Sequence, residues 1–387
     1  MRGRTEGLPG DVIRRLLGAA GALALFASAC SVGPPQPSGV KLSIGVDVPL
    51  TGPEATSGQA VLDAVSRIAN DEYHGRIEGL PLTVRRFDDS ANNRRDPAQG
   101  QRNLDRMLAD STLVGVVGPL NSDVAAAELP IANAAHLALV SPGASSACLT
   151  RNASTCIRPP AELRPAGPND FFRVVASDDL EPAALLQYAT GTLHATRFAV
   201  ASDGQDYGKA ARAGFEAALK KGGLSPVLTS DLDPNSQAAA DAFLADAKTA
   251  GADAVFFGGR DAGGACKVRL RMQGPFGTTA PFLTESGAMG ATCLKDAGGM
   301  APGVYSVMAG TGSVSQQAET AARVLLRAVT AAVKADGGNV PAREDVRLAV
   351  SRSTDPRFDL AGDTADRVFT AYQGQATGWV PAAQVRL

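Results

Sequence analysis

The stretch VGPLNSDVAAAELPIANAAHLALVSPGAS, residues 117–145, decides the fold. Its pattern predicts a short apolar strand, a turn, a helix, a second apolar strand and a further turn rich in Gly and Ser. Each turn places small residues and hydroxyls where a strand stops, which is where open α/β sheets bind ligands. Ser122 begins the helical run, so its hydroxyl can hold an anion together with the first free N–H groups of that helix. Two such turns on neighbouring strands predict a cradle for a carboxylate.

Strands and amphipathic helices alternate on both sides of this stretch. Two βα units precede it, and a second βα series follows a segment rich in Pro, Ser and Asn at residues 143–170. This order predicts an α/β fold with two doubly wound parallel-sheet lobes, joined by a hinge and separated by a cleft. The Ala-rich run at residues 316–334 predicts a long helix, and residues 366–381 predict a terminal hairpin.

Composition and charge are those of an ordinary globular protein. The chain has 387 residues, of which 44% are hydrophobic and 20% charged, enough for about two domains with ample core. The formal net charge is −2, and no basic block follows the N-terminal segment. We therefore expect no nucleic-acid partner.

The N-terminal segment has the pattern of an export signal. Four arginines precede the apolar run LLGAAGALALFASA, which is too short to span a bilayer. The run ends in Ala27-Ser28-Ala29-Cys30, which resembles a bacterial lipobox and predicts cleavage before Cys30 and lipidation of that cysteine. The alternative is an ordinary signal peptide with an incidental cysteine. The Pro-rich residues 31–39 predict a tether.

These patterns predict the organisation of the chain. We expect a lipoprotein-type signal peptide at residues 1–29, the lipidated Cys30 and a flexible tether at residues 30–39, a first lobe from residues 40–176 and about 309–368, and a second lobe from residues 177–308 and about 369–387.

Four cysteines remain after Cys30, and an even number outside the cytoplasm favours disulfides. We pair Cys148 with Cys156 across a short Pro-rich segment, and Cys266 with Cys293 across one βα unit. Four buried free thiols are the alternative. The sequence has no CxxC motif and its three histidines are scattered, so we expect no metal and no cofactor.

Seven segments, in order, resemble one known family. They are LTGPEATSG (50–58), RRFDDSANNRRDPAQGQRNLDRML (85–108), the two turns VGPLNS and SPGAS, SDGQDYGKAARAGFEAAL (202–219), DAVFFGG (253–259) and FLTE (282–285). The chain resembles the branched-chain amino-acid-binding family of type I periplasmic binding proteins, the solute receptors of ABC importers. The resemblance covers about residues 41–310 and parts of the tail.

The resemblance implies that the two turns hold the backbone end of an amino acid. Ser122 would take the ligand carboxylate, and the backbone of Leu120 and Asn121 would line the floor. The backbone at Gly143 and the hydroxyl of Ser145 would grip the amino and carboxylate groups. Plainer alternatives are that Ser122 only caps its helix and that residues 141–143 form only a turn.

The resemblance also implies an acidic partner for the ligand ammonium. Glu285 matches this acid and Asp178 matches a polar residue beside the hinge, whereas a solvated surface acid is the alternative for Glu285. Ser57 stands where aliphatic-binding members often have an aromatic ring, and Arg260 where a Tyr is common. Both departures add polarity, so Arg260 can meet an anionic or amide side chain, or simply pair with Asp261. Residues 203–207 are expected to be structural.

The implied function is that of an extracytoplasmic receptor anchored to the outer face of the membrane only by its lipid. It would capture an amino acid or amino-acid-like small molecule in the cleft and deliver it to an ABC permease complex, and we expect a monomer. A ligand-sensing lipoprotein coupled to a signalling partner is the alternative. A hydrolase is a remote one, because GxSxG, SxxK, HExxH and P-loop motifs are absent, and we expect neither catalytic residues nor enzyme activity.

Overall fold

The computed structural model describes residues 41–152, 156 and 158–387. The expected signal peptide, Cys30 and the tether lie outside the described residues. The strands are β1 (Leu42–Val48), β2 (Arg76–Ile77), β3 (Leu80–Asp88), β4 (Ser90–Ala91), β5 (Arg94–Arg95), β6 (Leu113–Val117), β7 (Ala138–Ser141), β8 (Phe171–Arg173), β9 (Phe198–Ser202), β10 (Leu228–Asp231), β11 (Ala254–Gly258), β12 (Phe282–Leu283), β13 (Val304–Ala309), β14 (Val368–Gln375) and β15 (Gly378–Arg386). The helices are α1 (Ala55–Asp71), α2 (Pro97–Leu108), α3 (Ser122–Ala134), α4 (Glu181–Gly191), α5 (Asp206–Lys221), α6 (Gln237–Thr249), α7 (Ala265–Arg271), α8 (Gln273–Phe276), α9 (Ala291–Ala297), α10 (Val314–Ala335) and α11 (Arg343–Ser351).

The first sheet has the order β2-β3-β1-β6-β7-β8, and all of its pairs are parallel except β2 with β3. Every residue of β1 is buried, as expected of a central parallel strand covered on both faces. Helices α1, α10 and α11 cover one face, and α2 and α3 cover the other. The Asp96 carboxylate starts α2 by accepting from the Ala98 and Gln99 N–H groups.

The second sheet has the order β10-β9-β11-β12-β13-β14-β15. Strands β9 to β13 pair in parallel, and β14 and β15 add the antiparallel hairpin that the sequence predicts. One face packs against α6, α7 and α9, and the other against α4 and α5. The predicted α/β fold with doubly wound sheets is therefore confirmed.

The chain passes between the two sheets three times. The connections are residues 174–180 after β8, residues 310–313 after β13, and residues 365–367 before β14. The second and third come together where β14 begins, because the Gly310 N–H donates to the Val368 carbonyl at 2.8 Å. All three lie beside the carboxyl ends of β7 and β8, so side chains on these connections come close to the turns of the first sheet.

Both predicted cysteine pairs are bonded in the structure. Cys148 and Cys156 have a Cα–Cα distance of 5.4 Å, and Cys266 and Cys293 one of 4.9 Å. The first bond ties down the loop after β7, and the second joins α7 to α9. No helix in the part of the chain that the structure describes combines the length and hydropathy needed to cross a bilayer.

Candidate functional site

The two turns after β6 and β7 are tied together by a buried serine. The Ser141 hydroxyl donates to the Pro119 carbonyl at 2.6 Å and accepts from the N–H groups of Gly143 and Ala144. Gly118 has φ +134°, and a Cβ there would collide with the backbone of Asp47 on β1, so the first turn requires glycine. The two turns therefore form one rigid surface at the edge of the sheet.

An open pocket of about 390 Å³ lies on this surface, and we call it the serine pocket. Its lining contains the five residues that the sequence predicts for the carboxylate side together with two charged neighbours: Arg95, Leu120, Asn121, Ser122, Asp123, Gly143 and Ser145. Arg95 forms ion pairs with Glu54 and Asp123, so its charge is already balanced within the protein.

Ser122 does not cap its own helix. Asn121 is the N-cap residue of α3, without a side-chain cap, and the Ser122 hydroxyl accepts from the Ser146 N–H of the next turn at 3.1 Å. Its proton remains available to a ligand. The N–H groups of Ser122 and Asp123 have no acceptor among the described residues, and the helix dipole adds positive potential there. The pocket thus presents hydrogen-bond donors to an anion.

The second turn offers a ligand fewer free backbone groups than the resemblance implies. Because the Gly143 N–H already donates to Ser141, only its carbonyl faces outward as a free polar group. Glycine is required at this position, since a Cβ would lie 2.6 Å from a Leu120 methyl. The Ser145 hydroxyl has no bonding partner within the described residues, so it is the free donor of this turn.

Asp178 joins the second turn to the first connection between the sheets. Its N–H donates to the Ser145 carbonyl at 3.0 Å, and its carboxylate accepts from the Ala147 N–H at 2.9 Å. Burial raises the pKa of the Asp178 carboxyl, and these backbone bonds oppose the shift. The sequence predicts Asp178 beside the hinge, and the structure places it in direct contact with the turn that carries Ser145.

Arg173 is a positioning residue that the sequence analysis missed. It is fully buried at the end of β8, where its guanidinium pairs with Asp363 at 2.7 Å and donates to the carbonyls of Ala144 and Ser146 and to the Thr150 hydroxyl. These bonds hold the carbonyls on both sides of Ser145. The only sequence feature that points to a buried role for Arg173 is its place as a single arginine inside the apolar run FFRVV.

Glu285 lies across from this surface, at the end of β12 in the second sheet. It is half-buried and within hydrogen-bonding reach of the Tyr207 hydroxyl, which does not fit the alternative of a solvated acid. Burial, opposed by the Tyr207 hydroxyl and aided by the nearby charge of Asp178, raises the pKa of Glu285 to about 7. Tyr207 was expected to be structural, but the structure brings it to the site. Gly287 makes room for its hydroxyl, since a Cβ there would collide with that oxygen.

A second acid lies on this side. Glu181 is buried at the start of α4 and accepts a 2.7 Å bond from the Ser286 hydroxyl. Burial, then the charges of Asp178 and Glu285, hold its pKa well above the usual range. Glu285 and Glu181 on one side, Asp178 between the sheets and unpaired donors on the other side suit a zwitterion, which needs an acceptor charge at one end and donors at the other.

Arg260 and Ser57, the last two predicted site residues, do not line the serine pocket. Arg260 follows β11, and its guanidinium carbon lies 4.0 Å from the centre of the Tyr207 ring. Asp261 instead accepts from the Cys293 N–H at 2.7 Å, at the start of α9. Ser57 is half-buried in the first turn of α1 and does not line the serine pocket. In the described ranges, no group of three or more His, Cys, Asp or Glu side chains is arranged to hold a metal ion.

Comparison with known proteins gives a consistent result. A family model described as "Periplasmic binding protein" matches residues 41–324. The "Leu/Ile/Val-binding protein homolog 3" of Brucella melitensis is 27% identical over 243 residues, which are 62% of this chain and 61% of the relative. The "Amino acid binding protein" of Pseudomonas aeruginosa is 26% identical over 258 residues, 66% of this chain and 63% of the relative. The chain thus spans about three fifths of the length of each of these relatives.

A solved structure shares the fold. It is described as a putative branched-chain amino acid ABC transporter from Rhodospirillum rubrum, and it superposes with a TM-score of 0.64 at 19% identity, covering 88% of this chain and 100% of that one. At this identity, the likeness concerns the architecture alone.

Proposed function

Because this chain belongs to the periplasmic binding protein family, we propose that it is an amino-acid-binding receptor of an ABC importer. Its fold is the type I fold of that family. The observation that carries the proposal is the arrangement of charge. Unpaired donors of the serine pocket lie at the edge of one sheet, Glu285 and Glu181 lie at the edge of the other, and Asp178 connects the two.

In the proposed complex, the hydroxyls of Ser122 and Ser145 and the free N–H groups of α3 hold the ligand carboxylate. Glu285 and Asp178 accept from the ammonium. The pKa of Glu285, about 7 without ligand, falls when the ammonium binds, because an opposite charge favours the carboxylate. Charge-assisted bonds of this kind strengthen when closure about the three connections excludes water.

The remaining parts of the proposal concern organisation and location. We keep the two lobes as residues 40–176 with about 309–368, and residues 177–308 with about 369–387. The protein acts outside the cytoplasm as a monomer, held at the membrane by lipid on Cys30 after removal of residues 1–29. It delivers its ligand to an ABC permease complex and catalyses no reaction. The family supports the extracytoplasmic location and the role in solute binding.

Titration calorimetry with a panel of L-amino acids at pH 7 tests the proposal. At least one should bind, and Ser122→Ala and Glu285→Gln should each weaken it by about 1.5–3 kcal/mol, the usual contribution of a bond to a charged group. Glu216→Gln, on α5 away from the site, is the matched control and should leave affinity unchanged. Failure of every amino acid at millimolar concentration, or unchanged affinity in both site variants, would refute the proposal.

A further inference from the structure

Arg260 lies at the edge of the site, and no acid among the described residues balances its charge. Its side chain is exposed, and none of the carboxylates in the described part of the chain lies within ion-pair distance of its guanidinium. Its neighbour Asp261 is engaged with the start of α9. Asp203, on the adjacent turn, accepts from the Gln205 N–H. Arg95, by comparison, is paired twice.

The position of this guanidinium is defined by its contact with Tyr207. The guanidinium carbon lies 4.0 Å from the ring centre, and the ring hydroxyl is within hydrogen-bonding reach of Glu285. The guanidinium N–H groups have no acceptor among the described residues, and such groups recognise a carboxylate with two parallel bonds. Arg260 is therefore fixed beside the acid that is proposed to hold the ligand ammonium, with its donors unused.

The local charge also argues against an aliphatic ligand. Closure onto a Leu, Ile or Val side chain would remove water from Arg260 and give it methyl groups in return, which is costly for an unpaired charge. A carboxylate on the ligand side chain would replace that water with charge-assisted bonds.

We propose that Arg260 binds a side-chain carboxylate of the ligand, so that the solute is an acidic amino acid. This inference rests on the proposed function, since it adds a side-chain contact to the same site. The ligand then carries two carboxylates, one at the serine pocket and one at Arg260, with its ammonium between them at Glu285.

Titration calorimetry of the protein with L-glutamate, L-aspartate, L-glutamine, L-asparagine and L-leucine tests the inference. At least one acid should bind tenfold or more tightly than its own amide, which has the same shape without the charge. Arg260→Gln should reduce that preference to less than threefold and leave the affinity for the amide within threefold of the original. Arg271→Gln, which removes a half-buried arginine paired with Asp241, is the matched control and should keep the preference.

The outcomes separate the two proposals. Binding of leucine or of the amides with equal or higher affinity than the acids would overturn the role of Arg260 and leave the amino-acid receptor intact. A preference for acids that persists in Arg260→Gln would also overturn it. Failure of every amino acid to bind would refute the proposed function and this inference together. Melting temperatures of both variants within a few degrees of the unmodified protein exclude misfolding as the cause.

Discussion

Three carboxyl side chains are completely buried beneath the first sheet: Asp47 on β1, Asp89 after β3 and Glu128 on α3. The carboxyls of Asp47 and Glu128 are within hydrogen-bonding reach of each other, which requires a proton on one of them. Asn103 donates to Asp47 at 2.9 Å, whereas both oxygens of Asp89 lack a donor in the described residues. At the scale of single residues, this cluster controls how stability depends on pH.

Burial raises all three pKa values, to about 7 for Asp47, to about 8 for Asp89 and well above the ordinary value for Glu128. A carboxyl whose pKa is higher in the folded than in the unfolded state contributes stability below its unfolded pKa, near pH 4. That contribution is lost as pH rises through the folded pKa. The cluster should therefore destabilise the protein progressively from about pH 4 to pH 8.

Asp89→Asn removes one of the three titrating groups that make the stability depend on pH. The free energy of unfolding of the variant, relative to the unmodified protein, should rise by about 1 kcal/mol per pH unit between pH 5 and pH 8. Urea denaturation at several pH values measures it. Asp241→Asn, which removes an exposed carboxylate, is the control and should give a constant difference over that range. Parallel stability curves for Asp89→Asn and the unmodified protein would contradict the prediction.

Most of this residue-scale detail is not predictable from the sequence. Ser122, Ser145 and Gly143 are recognisable because each stands in a turn that directly follows an apolar strand, and such turns meet at one sheet edge. Tyr207 and Arg260 carry no local signal of their contact, since a helix start and a strand end 53 positions apart meet only in the folded chain. The ion pair of Arg173 with Asp363 spans 190 positions.

At the scale of elements, the loop after β7 matters most, because it carries Ser145 and is held from three directions. Ser141 binds its beginning, Arg173 its carbonyls and Asp178 the Ala147 N–H. The bond between Cys148 and Cys156 closes the segment directly after it. The disulfide should therefore restrict local opening of the turn as well as the unfolded chain.

Replacing Cys148 and Cys156 by Ser should cost about 2–4 kcal/mol of stability. It should also raise the exchange rates of the Gly143, Ser146 and Ala147 amides by roughly tenfold or more, since their bonds depend on the loop being closed. Hydrogen exchange measured by NMR reports these amides separately.

The double Ser variant of Cys266 and Cys293 is the matched control. It loses a disulfide of the second sheet's helices, so stability should fall while protection of the loop amides is retained. Unchanged exchange of the loop amides in the Cys148 and Cys156 variant would show that Arg173 and Ser141 hold the turn without the disulfide.

At the scale of the whole molecule, the three connections determine how the two sheets can move. Gly310 lies at their crossing with φ +100°, donates to the Val368 carbonyl and accepts from the Thr370 hydroxyl at 2.9 Å. A Cβ at Gly310 would collide with the Gln317 amide and press on Val175. A change at this one position therefore affects all three connections.

Gly310→Ala should lose about 1–3 kcal/mol of stability from the positive φ and also impair closure. Small-angle scattering with and without the best-binding amino acid should show a smaller decrease in radius of gyration than in the unmodified protein, and affinity should fall. Gly337→Ala is the control, because Gly337 has φ +66° but open space around its Cβ position. It should lose similar stability and keep the full decrease. Equal closure in both variants would show that Gly310 has no special role in closure.

The sequence by itself determined the α/β class, the order of strands and helices, the terminal hairpin and both disulfide pairs. These follow from apolar periodicity, turn residues and cysteine spacing, which act over a few to about thirty positions. Only the tertiary structure decided that Tyr207 lies between Glu285 and Arg260, that Arg173 supports the serine pocket, and that three carboxyls are buried close together. The physical reason is that burial, pKa and ion pairing depend on which distant segments meet, and periodicity specifies a buried face without specifying its partner.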